Sequence, residues 1–232
     1  MAFEFTVRCK EDLMDAVERF GIVPYFANSI PGFSVEEHCP PSLLFSDDGD
    51  DSWAWKGPVI RETGCAYGKF FEKKSVYVSR EWFLDLANYR RDGYDFDARY
   101  DDGLARFEDK QLYDLIAENE PVLSKQLRLS GGYAYSGRRQ KAEGKKGFDA
   151  SLLRLQEQCY VLTCDFVYSI DRKGRHRGWG VAQYATPEHF LGPEFREHVY
   201  DRSPEESYER LLLHLRSLFP QAPEKALRRF LK

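Results

Sequence analysis

The chain has 232 residues, enough for one sizeable core or two small ones, and its 42% hydrophobic and 15% aromatic content excludes an unfolded, highly charged class. No apolar run approaches the roughly 20 residues of a membrane helix, and the start, MAFEFTVRCKEDL, lacks the apolar stretch of a signal peptide, so a soluble cytoplasmic protein with no membrane partner is expected. The formal net charge of −4 conceals a division: residues 1–120 hold 14 Lys/Arg against 25 Asp/Glu, residues 121–186 hold 12 against 5, and residues 187–232 hold 8 of each.

In chain order, residues 11–20 place Leu13, Ala16, Val17 and Phe20 on one helical face, and Gly21 closes the run. From Ile22 to Ile60 the residues Pro24, Pro31, Pro40, Pro41 and Pro58, with an acidic patch from Asp47 to Asp51, predict an irregular strap. Within it, Trp53-Ala54-Trp55-Lys56 either pins the strap to the core or offers rings for base stacking. Cys65 to Phe71 and Ser75 to Val78 predict two strands about the turn Glu72-Lys73-Lys74, and Ser79 then caps a helix through Tyr89. The segment Arg90 to Gly103 mixes charge, aromatics and glycine. It reads either as a loop lining a cleft with several carboxylates, or as a linker whose Arg and Asp pair while its tyrosines pack.

The second module, from about Asp109 to Ala185, is clearer. Glu108 to Asn119 predicts a helix with Leu112, Leu115 and Ile116 inward, broken by Pro121. Val122 to Leu129 predicts a short second helix before Gly131-Gly132. A loop from Tyr133 to Gly147 carries Arg138, Arg139, Lys141, Lys145 and Lys146 against the single acid Glu143. Phe148 to Gln158 predicts a third helix whose stripe Phe148, Leu152, Leu155 and Cys159 faces the core, leaving Arg154 and Gln158 for the outer side. Tyr160 to Ile170 and Trp179 to Ala185 predict a hairpin around a tip with Arg172, Lys173, Arg175, His176 and Arg177. Three helices followed by a hairpin is the winged-helix order, in which the third helix and the hairpin tip meet DNA. Basic charge falls at both places, so these residues are the expected nucleic-acid contacts. Pro204 to Phe219 and Ala222 to Leu231 predict two amphipathic helices that pack on this module or mediate a homodimer.

The run Lys145-Lys146-Gly147-Phe148 through Leu152-Leu153-Arg154-Leu155, on through Val161 and the hairpin to Tyr184, resembles the tandem winged-helix DNA glycosylases of the bacterial AlkZ/YcaQ group, as does the helix from Glu81 to Arg91 after Tyr77-Val78. The likeness covers about residues 60–190. It implies an α+β fold of tandem winged helices, a duplex DNA partner and a place in DNA repair. In that family a Gln-x-Asp or Gln-x-Gln motif near the N-terminus activates the attacking water, and larger members continue into a β-rich domain. Here no glutamine precedes Gln111, Gln156-Glu157-Gln158 closes the third helix of the later module, and the chain is too short for the extra domain. The binding part of the resemblance therefore carries over, and the catalytic motif does not.

Base excision would need a carboxylate beside an extruded base, for which Glu62, Asp95 and Asp97 are the candidates, a salt bridge being the alternative for each. Cys9, Cys39, Cys65, Cys159 and Cys164 form no Cys-x-x-Cys pair, and His38-Cys39 lacks two further ligands, so neither disulfide, metal nor cofactor is expected. The expected organisation is an acidic α+β unit over 1–104 open to reading as a divergent winged helix, a winged helix with basic loop and wing over 105–190, and a helical extension over 191–232. The expected function is DNA binding by a glycosylase-like protein. The alternative is a protein-interaction module whose acidic half covers the basic wing.

Overall fold

Apolar spacing and a left-handed stop fix the first helix, α1 (Lys10–Phe20): Leu13, Ala16, Val17 and Phe20 are buried on the anticipated face. Gly21 ends it at φ 72°, and a Cβ at that position would lie 2.1 Å from the Trp82 ring. The computed structural model describes residues 3–46, 50–133, 144–170 and 176–232, without side chains at 170 and 176–178.

The strap is more ordered than its prolines predict. It opens with strand β1 (Ile22–Pro24) and contains a short helix α2 (Val35–His38), whose Ser34 hydroxyl accepts from the Glu37 amide at 3.3 Å, and a 3-10 turn at Pro41–Leu43. Helix α3 (Lys56–Thr63) follows, then the hairpin β2 (Ala66–Phe71) and β3 (Lys74–Val78), with Glu72 and Lys73 left-handed at φ 46° and 60°. Helix α4 (Arg80–Arg91) stops at left-handed Asp92. In the charged segment beyond, the Asp95 carboxylate accepts from the Ala98 amide at 2.8 Å and starts α5 (Phe96–Asp101).

The later residues give α6 (Phe107–Asn119), β4 (Val122–Leu123), α7 (Ser124–Ser130), α8 (Phe148–Glu157) and the hairpin β5 (Leu162–Ile170) and β6 (His176–Ala185). Two expectations shift here. Val122 and Leu123 are a strand rather than the first turn of a helix, because they pair with Gln183 and Tyr184, and the returning strand begins at His176, three residues before Trp179. Helices α9 (Pro187–Phe190), α10 (Pro193–His198), α11 (Pro204–Leu218) and α12 (Glu224–Phe230) complete the chain.

All six strands form one antiparallel sheet in the order β1-β3-β2-β5-β6-β4. Its two halves follow one path. In each, a helix leads to a short strand, further helix and then a hairpin, and the short strand pairs with the returning hairpin strand at the outer edge. The halves meet through the leading hairpin strands, with Tyr67 opposite Thr163. Helix α3 packs on β5 and helix α8 on β2, so each half lays its last helix on the other half's strand.

Two apolar clusters flank this sheet. One holds α1, the strap, β2, β3 and α4 together with Leu211, Leu212, Leu215 and Leu218 of α11; the other holds Phe96, Leu112, Ile116, Leu127, Phe148, Leu155 and Tyr160. The C-terminal helices thus pack on the first half, not on the second module as expected. The reason is polar as well as apolar: buried Asp85 of α4 accepts from Ser207 at 3.1 Å and Arg210 at 2.9 Å.

Arg91, 1% exposed, ties the clusters together. Its guanidinium donates to the Cys159 carbonyl at 2.9 Å and to Glu188 at 2.6 Å and lies 4.8 Å from the Tyr160 ring centroid. Arg91→Met should leave that carbonyl and Glu188 without a partner and cost about 3–5 kcal/mol, as breaking buried pairs does, measured by urea unfolding. His214 stacks on Trp82 at 3.8 Å and donates through Nε2 to the Phe20 carbonyl, and burial lowers its pKa. The unfolded chain then binds the proton more readily, so stability should be full above the ordinary value of 6.5 and fall as pH drops below it, and His214→Gln should flatten that fall in thermal melts at stepped pH.

Candidate nucleic-acid interface

The anticipated basic residues divide into three groups. Arg138, Arg139, Lys141, Arg172, Lys173 and Arg175 lie outside the described residues. His176 and Arg177 begin β6, opposite Ile170 and Ser169, and their side chains are likewise not described. The remainder are placed. Lys145 donates to Gln111 and lies 5.2 Å from the Tyr133 ring centroid, Lys146 is exposed, and Gln158 caps α8. Arg154 is held in a two-point ion pair by buried Asp109, at 2.8 and 2.5 Å, so its guanidinium is oriented within the module. Arg128 makes a single contact to the exposed carboxylate of Asp149.

The three candidate carboxylates are not brought together. Glu62 accepts from Lys10 at 2.6 Å, Asp95 caps α5, and exposed Asp97 lies 3.3 Å from Lys110. Each has a structural partner. The Arg90 to Gly103 segment is packed, but not by the Arg–Asp pairing expected of a linker: among the described residues Arg91 pairs with Glu188 and Asp97 with Lys110, Phe96 is buried against Tyr113 and Tyr160, and the Tyr160 and Tyr200 hydroxyls both donate to the Tyr94 carbonyl.

What the structure adds is a cleft of about 680 Å³ over the seam between the halves. Strands β2, β5 and β6 floor it with Tyr67, Phe166 and Tyr184, helix α8 forms one side with Gln156, and the strap forms the other with Phe26 and Trp53. Gln156 belongs to the Gln-x-Gln at the end of α8, and its side chain is engaged within the fold. The Oε1 atom accepts from the Lys69 amide at 3.0 Å, bracing α8 on β2. Across the seam Arg61 of α3 pairs with Asp165 of β5, the counterpart brace.

Lys69, Lys73 and Lys74 reach this cleft from the half that is acidic by sequence. Lys74 donates to the Ala27 carbonyl, whereas Lys69 and Lys73 are exposed and have no ion-pair partner among the described residues. In the sequence Lys73 and Lys74 read only as a turn. One signal was available for Lys69, the single charged residue within the apolar run Ala66 to Phe71, and it is the one exposed position of β2.

Behind the strap wall sits Lys56, 2% exposed. Its Nζ lies 3.4 Å from the Trp53 ring centroid and 4.6 Å from that of Phe166, with no hydrogen bond or ion pair among the described residues. Burial pushes its pKa down to about 7, and the Asp51 carboxylate opposes that shift. The Trp53-Ala54-Trp55-Lys56 segment therefore pins the strap, Trp53 packing on Tyr25, Phe26 and Phe45, and also carries an unusual amine. Trp53 meets Trp179 of β6 as well, which is 74% exposed.

Among the described residues no cluster of His, Cys, Asp and Glu could hold a metal, and no helix is long and apolar enough to cross a membrane. A family model described as AlkZ related matches residues 7–232, and the chain belongs to that family. No curated protein and no solved structure matches it. If the Gln156 brace holds the seam, Gln156→Leu should leave the Lys69 amide unsatisfied and lower unfolding free energy by about 1–3 kcal/mol in urea titrations.

Proposed function

We propose that this member of the AlkZ-related family is a DNA-binding, glycosylase-like protein of tandem winged-helix architecture, which binds duplex DNA as a scaffold rather than through the family's early glutamine motif. The single observation that carries the reading is the repeated path of the two halves, helix, short strand, helix, hairpin, with the short strand paired to the returning strand. This repeated order supports a winged-helix reading of each half. It supports a division into units at 1–104 and 105–190 with a C-terminal extension, and a cytoplasmic DNA-repair role. The contacts would come from Arg138, Arg139, Lys141, Lys145 and Lys146 of the loop and from Arg172, Lys173, Arg175, His176 and Arg177 of the wing. Catalysis finds no support in the candidate carboxylates, each of which has a structural partner.

One observation favours the second reading, a protein-interaction module. Arg154, Arg128 and Lys145, basic residues of the second half, are each tied to a neighbour within that half. The pairing of the wing tip with the Asp47 to Asp51 patch that this reading also invokes falls largely outside the described residues.

Fluorescence anisotropy with a duplex at stepped salt separates the two. DNA binding should weaken with a log–log slope of about −0.9 per phosphate contact. Changing Arg172, Lys173 and Arg175 to Glu should lower affinity and flatten the slope, while an alkylpurine duplex incubated with stoichiometric protein should keep its bases. Affinity that is absent, or indifferent to salt, would remove the DNA reading and leave the interaction module.

A further inference from the structure

A buried lysine normally has a carboxylate or several hydrogen bonds, because a desolvated ammonium is costly. Lys56 has neither among the described residues; two aromatic rings contact it, and both of those rings line the cleft. The covering ring is not fastened by its polar atom, since Trp53 Nε1 is buried without a hydrogen-bond partner among the described residues. Turning that indole away would cost packing but no hydrogen bond, and it would open Nζ to the cleft. The wall around it faces solvent in part, with Phe45 49% and Trp179 74% exposed.

We infer that Lys56 is an amine nucleophile that captures an aldehyde in the cleft as an imine, and that the aldehyde is the ring-opened sugar of an abasic nucleotide. The choice of sugar rests on the DNA reading above; the reactivity of the amine does not. Three observations favour it. The cleft is large enough for a sugar with a flanking phosphate, Lys69 and Lys73 stand at the cleft without carboxylate partners among the described residues to meet that phosphate, and the aromatic walls would receive the face left without a base. The step balances without any co-reactant. The Nζ lone pair adds to C1′ of the open-chain sugar, the two Nζ protons pass to the former carbonyl oxygen, and as the C–O bond breaks and that oxygen leaves as water the nitrogen lone pair forms the C=N bond: one amine and one aldehyde give one imine and one water. A neutral amine is required, and an amine whose pKa burial has brought to about 7 supplies it at neutral pH. Among the described residues the charged group that acts on it is Asp51 on the strap, which opposes that shift.

The test is reductive trapping on the full chain. Wild-type protein is incubated with borohydride and either an oligonucleotide containing one abasic site or free 2-deoxyribose 5-phosphate, and adducts are mapped by peptide mass spectrometry. Both probes should label Lys56. Lys56→Met, which keeps the stem in its aromatic slot, should lose the adduct while its duplex affinity and melting temperature stay near wild type. Labelling at other lysines only, or no labelling by either probe, overturns the proposal. Labelling by the sugar phosphate without a DNA adduct, in protein that binds the oligonucleotide, overturns the abasic substrate. Anisotropy on the same samples identifies the separate case in which the DNA reading itself has failed.

Discussion

The arrangement depends on one junction, the antiparallel pairing of β2 with β5 at Tyr67 and Thr163. Two half-sheets are joined there through their leading hairpin strands, which turns the outer strands of each half into the edges of the whole. Because α3 lies on β5 and α8 on β2, neither half can be pulled away without stripping a helix from its partner. The braces Gln156 to the Lys69 amide and Arg61 to Asp165 occupy corresponding places on either side of the seam, each reaching a residue two positions beyond the paired Tyr67 or Thr163. The cleft is a consequence of the same geometry: helix α8 on one side and the strap on the other leave the central strands uncovered between them.

Charge is distributed less simply than its sequence tally. The half with the acidic excess supplies the lysines of the cleft, because its acids are largely engaged elsewhere: Asp51 accepts from two backbone amides, Asp85 receives Ser207 and Arg210, and Asp95 begins a helix. In the basic half, Arg154 and Arg128 orient on Asp109 and Asp149. Local charge, not the sum over a segment, decides where an anion would be met.

The long elements were legible in the sequence. The helices α1, α6, α8 and α11 begin and end within a residue or so of the bounds that apolar spacing, Gly21 and Pro121 imply, since burial of one face and a stop signal are both local properties. Strands β1 and β4 were not legible. Two or three residues carry no periodicity, and Ile22 and Val122 become strands only because Val78 and Tyr184 lie opposite. The same limit hid the cleft, whose walls come from the strap, β2, β5, β6 and α8, far apart in the chain. Lys56 reads from the sequence as part of a packing cluster, which it is; its lack of an ionic partner among the described residues is a property of the folded surroundings.

The outer strands of the sheet have a bearing on how the molecule behaves in company. An open sheet exposes unpaired amides and carbonyls at each margin, and a long flat margin invites a strand from another chain. Here β1 and β4 are three and two residues long, Pro24 closes the first, and Pro121 precedes the second. Proline offers no amide hydrogen, so each margin is both short and chemically interrupted. Strand-mediated aggregation is thereby discouraged at both ends of a six-stranded sheet by prolines that read from the sequence only as part of an irregular strap and as the break of a helix.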